Sequence, residues 1–182
     1  MIIQGGDPYI QPSFSLSNRL MRGLWGVVWL CFFRPSPRPF YLWRSCILRL
    51  FGAKIGAGCA IYPSARIWGP WNLVCEDTVA VAEGVEIYNP AMITLRSHAI
   101  VSQGAYLCGA THDLQSRNFP MVSKEIEIGS YAWVCARAVV MPGVKLGNGA
   151  VLALAGVATK DIPAWKIYGG VPAKEIGTRN QR

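Results

Sequence analysis

The chain has 182 residues, enough for one domain or an elongated array with its own core. Apolar residues make up 52% of it and charged residues only 15%, against ~25% in ordinary soluble domains, which excludes a disordered chain. The formal charge of +8 sits mainly in the first third: no acidic residue lies between Asp7 and Glu76, a stretch holding Arg19, Arg22, Arg34, Arg38, Arg44, Arg49, Lys54 and Arg66.

Residues 1–54 form the first unit. Leu24 to Phe33 is an apolar run of ten residues, short of the ~20 a membrane-spanning helix requires. The segment after it, Arg34-Pro35-Ser36-Pro37-Arg38-Pro39, offers no small-x-small cleavage site, so the run reads as mature protein. Two short apolar helices are expected, over Leu16 to Phe33 and Phe40 to Phe51, with the proline-rich turn between them. They have two readings. One is a cap over the open end of the following array. The other is a surface lying on anionic lipid through Trp25, Trp29 and Trp43, a peripheral membrane contact of residues 16–51. Nucleic acid is a poor partner, because the arginines alternate with bulky apolar residues and no binding motif occurs.

From Ile55 onward a six-residue beat dominates. It runs Ile55, Ile61, Ile67, then Cys75, Val81, Ile87, then Leu95, Val101, Leu107, and finally Ile128, Val134, Val140, Leu146, Leu152. The residue four later is small or β-branched throughout, from Cys59 to Gly156, with the single exception of Trp71. A period of six matches neither a helix nor a hairpin meander. It suits short strands ending in turns, three strands per triangular coil, with coils ~4.8 Å apart and paired as parallel sheets. The expected fold is therefore an all-β solenoid over residues 55–163, with a helical N-terminal segment and a C-terminal tail at 164–182.

The beat is interrupted after every third repeat. The step is eight from Ile67 to Cys75, eight from Ile87 to Leu95, and twenty-one from Leu107 to Ile128. All three excursions should leave the prism at one corner, which would carry Trp68, Trp71, Tyr88, Asn89, His112 and a long loop over 113–127. Loops held by a rigid scaffold are where function is sought. The six cysteines form no C-x-x-C pair and lack a histidine at metal-ligand spacing. They read as reduced, mostly buried thiols of a cytoplasmic chain without zinc.

The motifs Trp68-Gly-Pro-Trp-Asn-Leu73, Ile87-Tyr-Asn89, Ser102-Gln-Gly-Ala-Tyr-Leu107, Thr111-His-Asp113, Thr159-Lys-Asp161 and Gly170-Val-Pro-Ala-Lys174 resemble those of the hexapeptide-repeat acyltransferases. The pattern is similar to the colanic-acid-biosynthesis acetyltransferases, relatives of the galactoside, maltose and nodulation acetyltransferases. The resemblance implies a left-handed parallel β-helix, a homotrimer with sites between neighbouring prisms, and acetyl transfer from acetyl-CoA to a hydroxyl of a sugar or glycan precursor. It makes His112 the catalytic histidine, Asn89 an acceptor contact, and Ala136, Thr159, Lys160 and Lys174 the cofactor contacts. Leu154 and Ala136 depart from the galactoside enzymes, which carry a small residue and a serine there.

Acyl transfer to a hydroxyl needs a base, and histidine is the residue type that titrates near neutrality. Asp113 is a candidate to fix the tautomer of its neighbour. Asn89 has a second reading as a turn asparagine, and Lys160 one as a solvated lysine. Trp71 and Tyr88 suit stacking on a sugar face. His98, the fourth residue of its repeat, is expected on a flat strand facing solvent. A γ-type carbonic anhydrase on the same fold would need three zinc-binding histidines, and the chain has two. A non-catalytic scaffold is the remaining alternative.

Overall fold

A computed structural model describes Pro8 and residues 10–180. Helix α1, Leu16–Val28, continues through a π-helical turn, Trp29–Phe33, so that together they cover the first expected helix. Ser15 caps it, accepting from the Asn18 N–H at 3.3 Å. Helix α2 spans Tyr41–Leu50.

The rest is a parallel β-solenoid with three faces. The first face stacks Lys54–Ile55, Leu73–Cys75, Ile93–Leu95, Ile126–Ile128 and Lys145–Leu146. The second runs from Ala60–Ile61 through Ala80–Val81, Ile100–Val101 and Trp133–Val134 to Val151–Leu152. The third stacks Arg66–Ile67, Glu86–Tyr88, Tyr106–Cys108, Val139–Val140 and Val157–Ala158. Every residue of the six-residue beat meets its counterpart in register: Ile55 pairs with Cys75, Cys75 with Leu95 and Leu95 with Ile128. Their side chains fill the prism, and small residues such as Ala65, Ala99, Ala105 and Ala138 lie fully buried inside its corners.

The coils pair directionally. Tyr62 N–H donates to Val81 C=O and Trp68 N–H to Ile87 C=O, each at 2.9 Å, so the inward-residue carbonyls on these two faces point back toward the preceding coil. In the first coil the matching carbonyls face the open end, and the N-terminal unit supplies their donors from side chains. Trp25 Nε1 donates to Ile67 O at 2.7 Å and Trp29 Nε1 to Ala65 O at 2.9 Å. Arg44 Nε donates to Ile61 O at 2.6 Å, and Arg49 reaches Ile55 O at 2.7 Å. Arg44 is wholly buried, its guanidinium also bonded to Ser36 Oγ, Pro37 O and Arg38 O. Indole and guanidinium groups thus meet carbonyls that a bare coil edge would leave unpaired.

Three local expectations change. The C-terminal segment is structured: Lys166–Gly169 adds a parallel strand to the second face and Lys174–Thr178 returns antiparallel along it. The beat hides this because the small Ala158 follows Leu152 and the next stacked residue, Tyr168, comes sixteen positions after Leu152. Only Cys59 and Cys75 are buried, whereas Cys31 and Cys46 lie exposed on the cap. His98 occupies a corner turn rather than a strand, with φ of +62° and its ring stacked on Tyr131 at 4.6 Å.

Candidate active site

The three excursions leave from one corner, between the third face and the first. Two residues past the inward Ile67, Ile87 and Leu107 come Gly69, Asn89 and Gly109, all buried and stacked coil on coil. Asn89 Oδ1 accepts from Gly69 N–H at 3.0 Å and its Nδ2 donates to Gly69 C=O at 2.8 Å. Gly109 N–H donates to Tyr88 C=O at 2.7 Å, and a Cβ at Gly109 would lie 2.7 Å from that oxygen. Asn89 is therefore the turn asparagine, working between coils. With both amide ends engaged and no exposed surface, it has no polar group left for an acceptor.

The first excursion holds a 3-10 turn, Pro70–Asn72. Asn72 Nδ2 ties it to the carbonyls of Asn89 and Pro90. Gly69 occupies the inside of this corner, which is why Trp71 breaks the small-residue rule: its ring lies outside the prism against Gly69, where a Cβ would come within 3.0 Å of it. Trp71 closes one side of a 490 Å³ groove shared with Ser15, Asn18 and Met21 of the N-terminal unit and with Phe51.

Trp68 and Tyr88 stack edge to face at 5.7 Å. Phe14 packs on Trp68 at 4.9 Å, and the Arg22 guanidinium lies 4.6 Å from the Trp68 ring. Burial raises the Tyr88 phenol above its ordinary range and the neighbouring Cys108 adds to this, while Arg22 pulls the other way. Beside these rings a 240 Å³ groove opens on the third face, lined also by Arg66, Glu86 and Tyr106. Arg22, Phe14, Arg66 and Tyr106 were not among the expected site residues. The helical spacing of Asn18, Arg22, Trp25 and Trp29 was the available signal for Arg22.

The third excursion is a hairpin, Ala110–His112 against Met121–Ser123, with His112 opposite Met121. Tyr88 Oη approaches Met121 Sδ at 3.9 Å, resting the return strand on the second excursion. His112 is exposed, and its Nδ1 lies 2.6 Å from the Phe119 carbonyl oxygen. A carbonyl only accepts, so the proton of the neutral ring sits on Nδ1 and Nε2 keeps its lone pair. Phe119 adopts φ of +44°, a conformation costly for a bulky residue, in the turn that aims this carbonyl. Asp113 does not orient the ring. Its carboxylate accepts from Ser116 Oγ at 2.7 Å and Gln115 N–H at 2.9 Å, bonds that hold it below the usual carboxylate range and brace the loop.

No family model matches the chain. It is 36% identical over 170 residues to the protein named colanic acid biosynthesis acetyltransferase WcaF of Escherichia coli (strain K12), covering 93% of each chain. The chain belongs to the hexapeptide-repeat acetyltransferases. Two solved structures share the fold: a hexapeptide-repeat acetyltransferase of Vibrio cholerae O1 biovar eltor complexed with acetyl coenzyme A, and a maltose O-acetyltransferase of Clostridium difficile 630. The first has a TM-score of 0.82 at 21% identity, covering 92% of this chain and 91% of that one. The second has a TM-score of 0.82 at 20% identity, covering 92% of this chain and 90% of that one.

In this acetyltransferase the residues expected at the cofactor divide between the two ends of the third face. Thr159 and Lys160 are exposed and follow Ala158, two coils above Leu107, at the corner that carries the hairpin. Lys174 pairs with Gly169 at the end of the second-face sheet and follows Ala173, whose N–H donates to Val157 C=O, so it stands above the start of the third face at the C-terminal end of the solenoid. Ala136 lies at the other corner, where the second face turns into the third, accepting through its carbonyl from Ala155 N–H at 3.0 Å. Leu154, 69% exposed, stands directly over it, so the two departures from the galactoside pattern adjoin one another. A single molecule touching Ala136 and Thr159 would lie across the third face or bridge two prisms. Lys160 and Lys174 make no ion pair among the described residues, which leaves both ammonium groups free for a phosphate.

Proposed function

We propose that the chain is an acetyl-CoA-dependent O-acetyltransferase acting on a hydroxyl of a sugar in glycan biosynthesis, with His112 as general base. The observation that carries this reading is the Nδ1–H to Phe119 carbonyl bond, which leaves Nε2 as the basic atom at an exposed, scaffolded corner. Nε2 takes the proton of the acceptor hydroxyl while its oxygen attacks the thioester carbonyl, and returns that proton to the departing thiolate. The Phe119 carbonyl holds the ring through the step and accepts from the imidazolium. Thr159, Lys160 and Lys174 supply a hydroxyl and two cations for the carrier's phosphates. Trp68, Tyr88, Trp71 and Arg22 supply apolar faces and a charge for the acceptor.

Support for a sugar acceptor comes from the names of the relatives, one from colanic acid biosynthesis and one a maltose O-acetyltransferase. Assembly as a homotrimer follows the family pattern and would bring Ala136 of one prism near the hairpin corner of the next. The test is thiol release from acetyl-CoA in the presence of nucleotide sugars and lipid-linked glycans. Release that depends on one sugar class supports the reading, and coenzyme binding without release for any acceptor would return the chain to a scaffold role.

A further inference from the structure

Helix α1 and its π-helical turn carry a second, outward face that is apolar although only the inner one meets the prism. Asn18, Arg22, Trp25 and Trp29, at helical spacing, face the prism. On the opposite side Leu16, Leu20, Leu24, Val27 and Leu30 follow the same spacing, each between 54% and 68% exposed. Trp43, 47% exposed, donates through Nε1 to Phe32 O at 3.0 Å and carries the apolar surface across to α2, where Leu42 is 76% exposed. Among the described residues nothing shields this stripe, although burying it would remove several aliphatic side chains from water.

Charge identifies the occupant. Arg19 is exposed beside the stripe, while Arg34 is exposed against the Trp29 ring and Arg38 donates to Tyr62 Oη at 2.7 Å, and between residues 8 and 75 there is no carboxylate to answer these charges. A symmetric contact with a second copy would set arginines against arginines. A bilayer with anionic headgroups offers apolar depth for the leucines and negative charge for the guanidinium groups at once. No described helix is long and apolar enough to cross a membrane, and the 13 residues of α1 extend ~20 Å, so the helix would lie in the interface plane.

We propose that the outer side of the N-terminal cap, through Leu16, Leu20, Leu24, Val27 and Trp43, docks the protein on an anionic phospholipid surface. The hairpin with His112 springs from the third coil, two coil spacings or ~10 Å beyond the first, and the ~10 Å diameter of α1 adds a similar distance between the first coil and the lipid. If the acetyl-transfer reading holds, that height suits an acceptor glycan held at the bilayer on a lipid carrier.

The experiment is co-sedimentation of the full chain with vesicles of phosphatidylglycerol and phosphatidylcholine, against vesicles of phosphatidylcholine alone. Binding should be confined to the anionic vesicles and should weaken in high salt. Leu20→Glu combined with Leu24→Glu should lower the bound fraction at least about tenfold, and Arg19→Glu should reduce the anionic preference by a similar factor. Both variants alter exposed side chains, so thermal melting and coenzyme A binding should match the wild type, which separates a failure of docking from a failure of acetyl transfer. Absence of binding to anionic vesicles, or undiminished binding by both variants, overturns the proposal. So does a drop in oligomeric mass in the leucine variant, because a protein copy would then be what covers the stripe.

Discussion

Asn89 directs both ends of its side-chain amide at the backbone of Gly69 one coil away, accepting at 3.0 Å and donating at 2.8 Å, with no surface exposed. It fastens the first excursion to the second. Asn89→Ala would leave a buried N–H and a buried C=O unpaired, at about 1–3 kcal/mol for each group. The expected outcome is a lower melting temperature with acceptor KM unchanged in the folded fraction. A stable variant with a raised acceptor KM would restore the acceptor contact instead.

The period of six carries over into the structure because inward side chains on parallel coils must stack, so every beat position from Ile55 to Leu152 meets its partner in register. The corner is legible for the same reason, since an extra step of two residues has nowhere to go but outward. Other parts are hidden. The partner of His112 is the carbonyl of Phe119, and a backbone atom leaves no mark in residue type. Arg44 reads as one more surface charge because its partners, Ile61 O, Pro37 O and Arg38 O, are gathered only when the proline-rich turn folds over the prism end. Asp113 sits beside His112 in sequence, yet strand geometry turns successive side chains apart and its carboxylate closes the loop instead.

The cap makes a graded prediction. Trp25→Phe keeps much of the packing against Phe33 and Phe51 but removes the donor to Ile67 O, and should destabilise by about 1–3 kcal/mol in urea unfolding. Arg44→Met removes the donor to Ile61 O and to both carbonyls of the turn, so its loss should exceed that of Trp25→Phe. Equal stability of both variants and the wild type would mean that water satisfies the first coil's edge.

Acid should loosen the first face. Arg96 bridges Glu76 at 2.7 Å and Glu127 at 2.8 Å, joining three successive coils. The bond from Arg96, followed by that from the Ser97 N–H, holds the Glu76 carboxyl below its ordinary range. A carboxyl depressed in the folded state contributes stability above its unfolded pKa and loses it as pH falls through the folded value. The pair is partly exposed, so the contribution is a few tenths to about 1 kcal/mol. Stability should therefore decline below pH ~4 in the wild type, and Glu76→Gln should flatten that part of the profile. A profile unchanged by the substitution would remove Glu76 from the acid transition.

Asp113→Ala separates bracing of a loop from orientation of a ring. Because the carboxylate touches Ser116 and Gln115 and not His112, kcat should fall by less than about tenfold. An orienting aspartate is worth ~10⁴-fold in a hydrolase triad, and a loss of that size would contradict the hydrogen bonding described.

The most direct measurement compares steady-state acetyl transfer by His112→Ala and His98→Ala. If Nε2 of His112 takes the acceptor proton, His112→Ala should lower kcat by roughly 10²–10⁴-fold with the KM for acetyl-CoA little changed. His98, stacked on Tyr131 at a corner of the second face, should be replaceable with near wild-type turnover. Full activity in His112→Ala, or equal losses in two folded variants, would contradict the account.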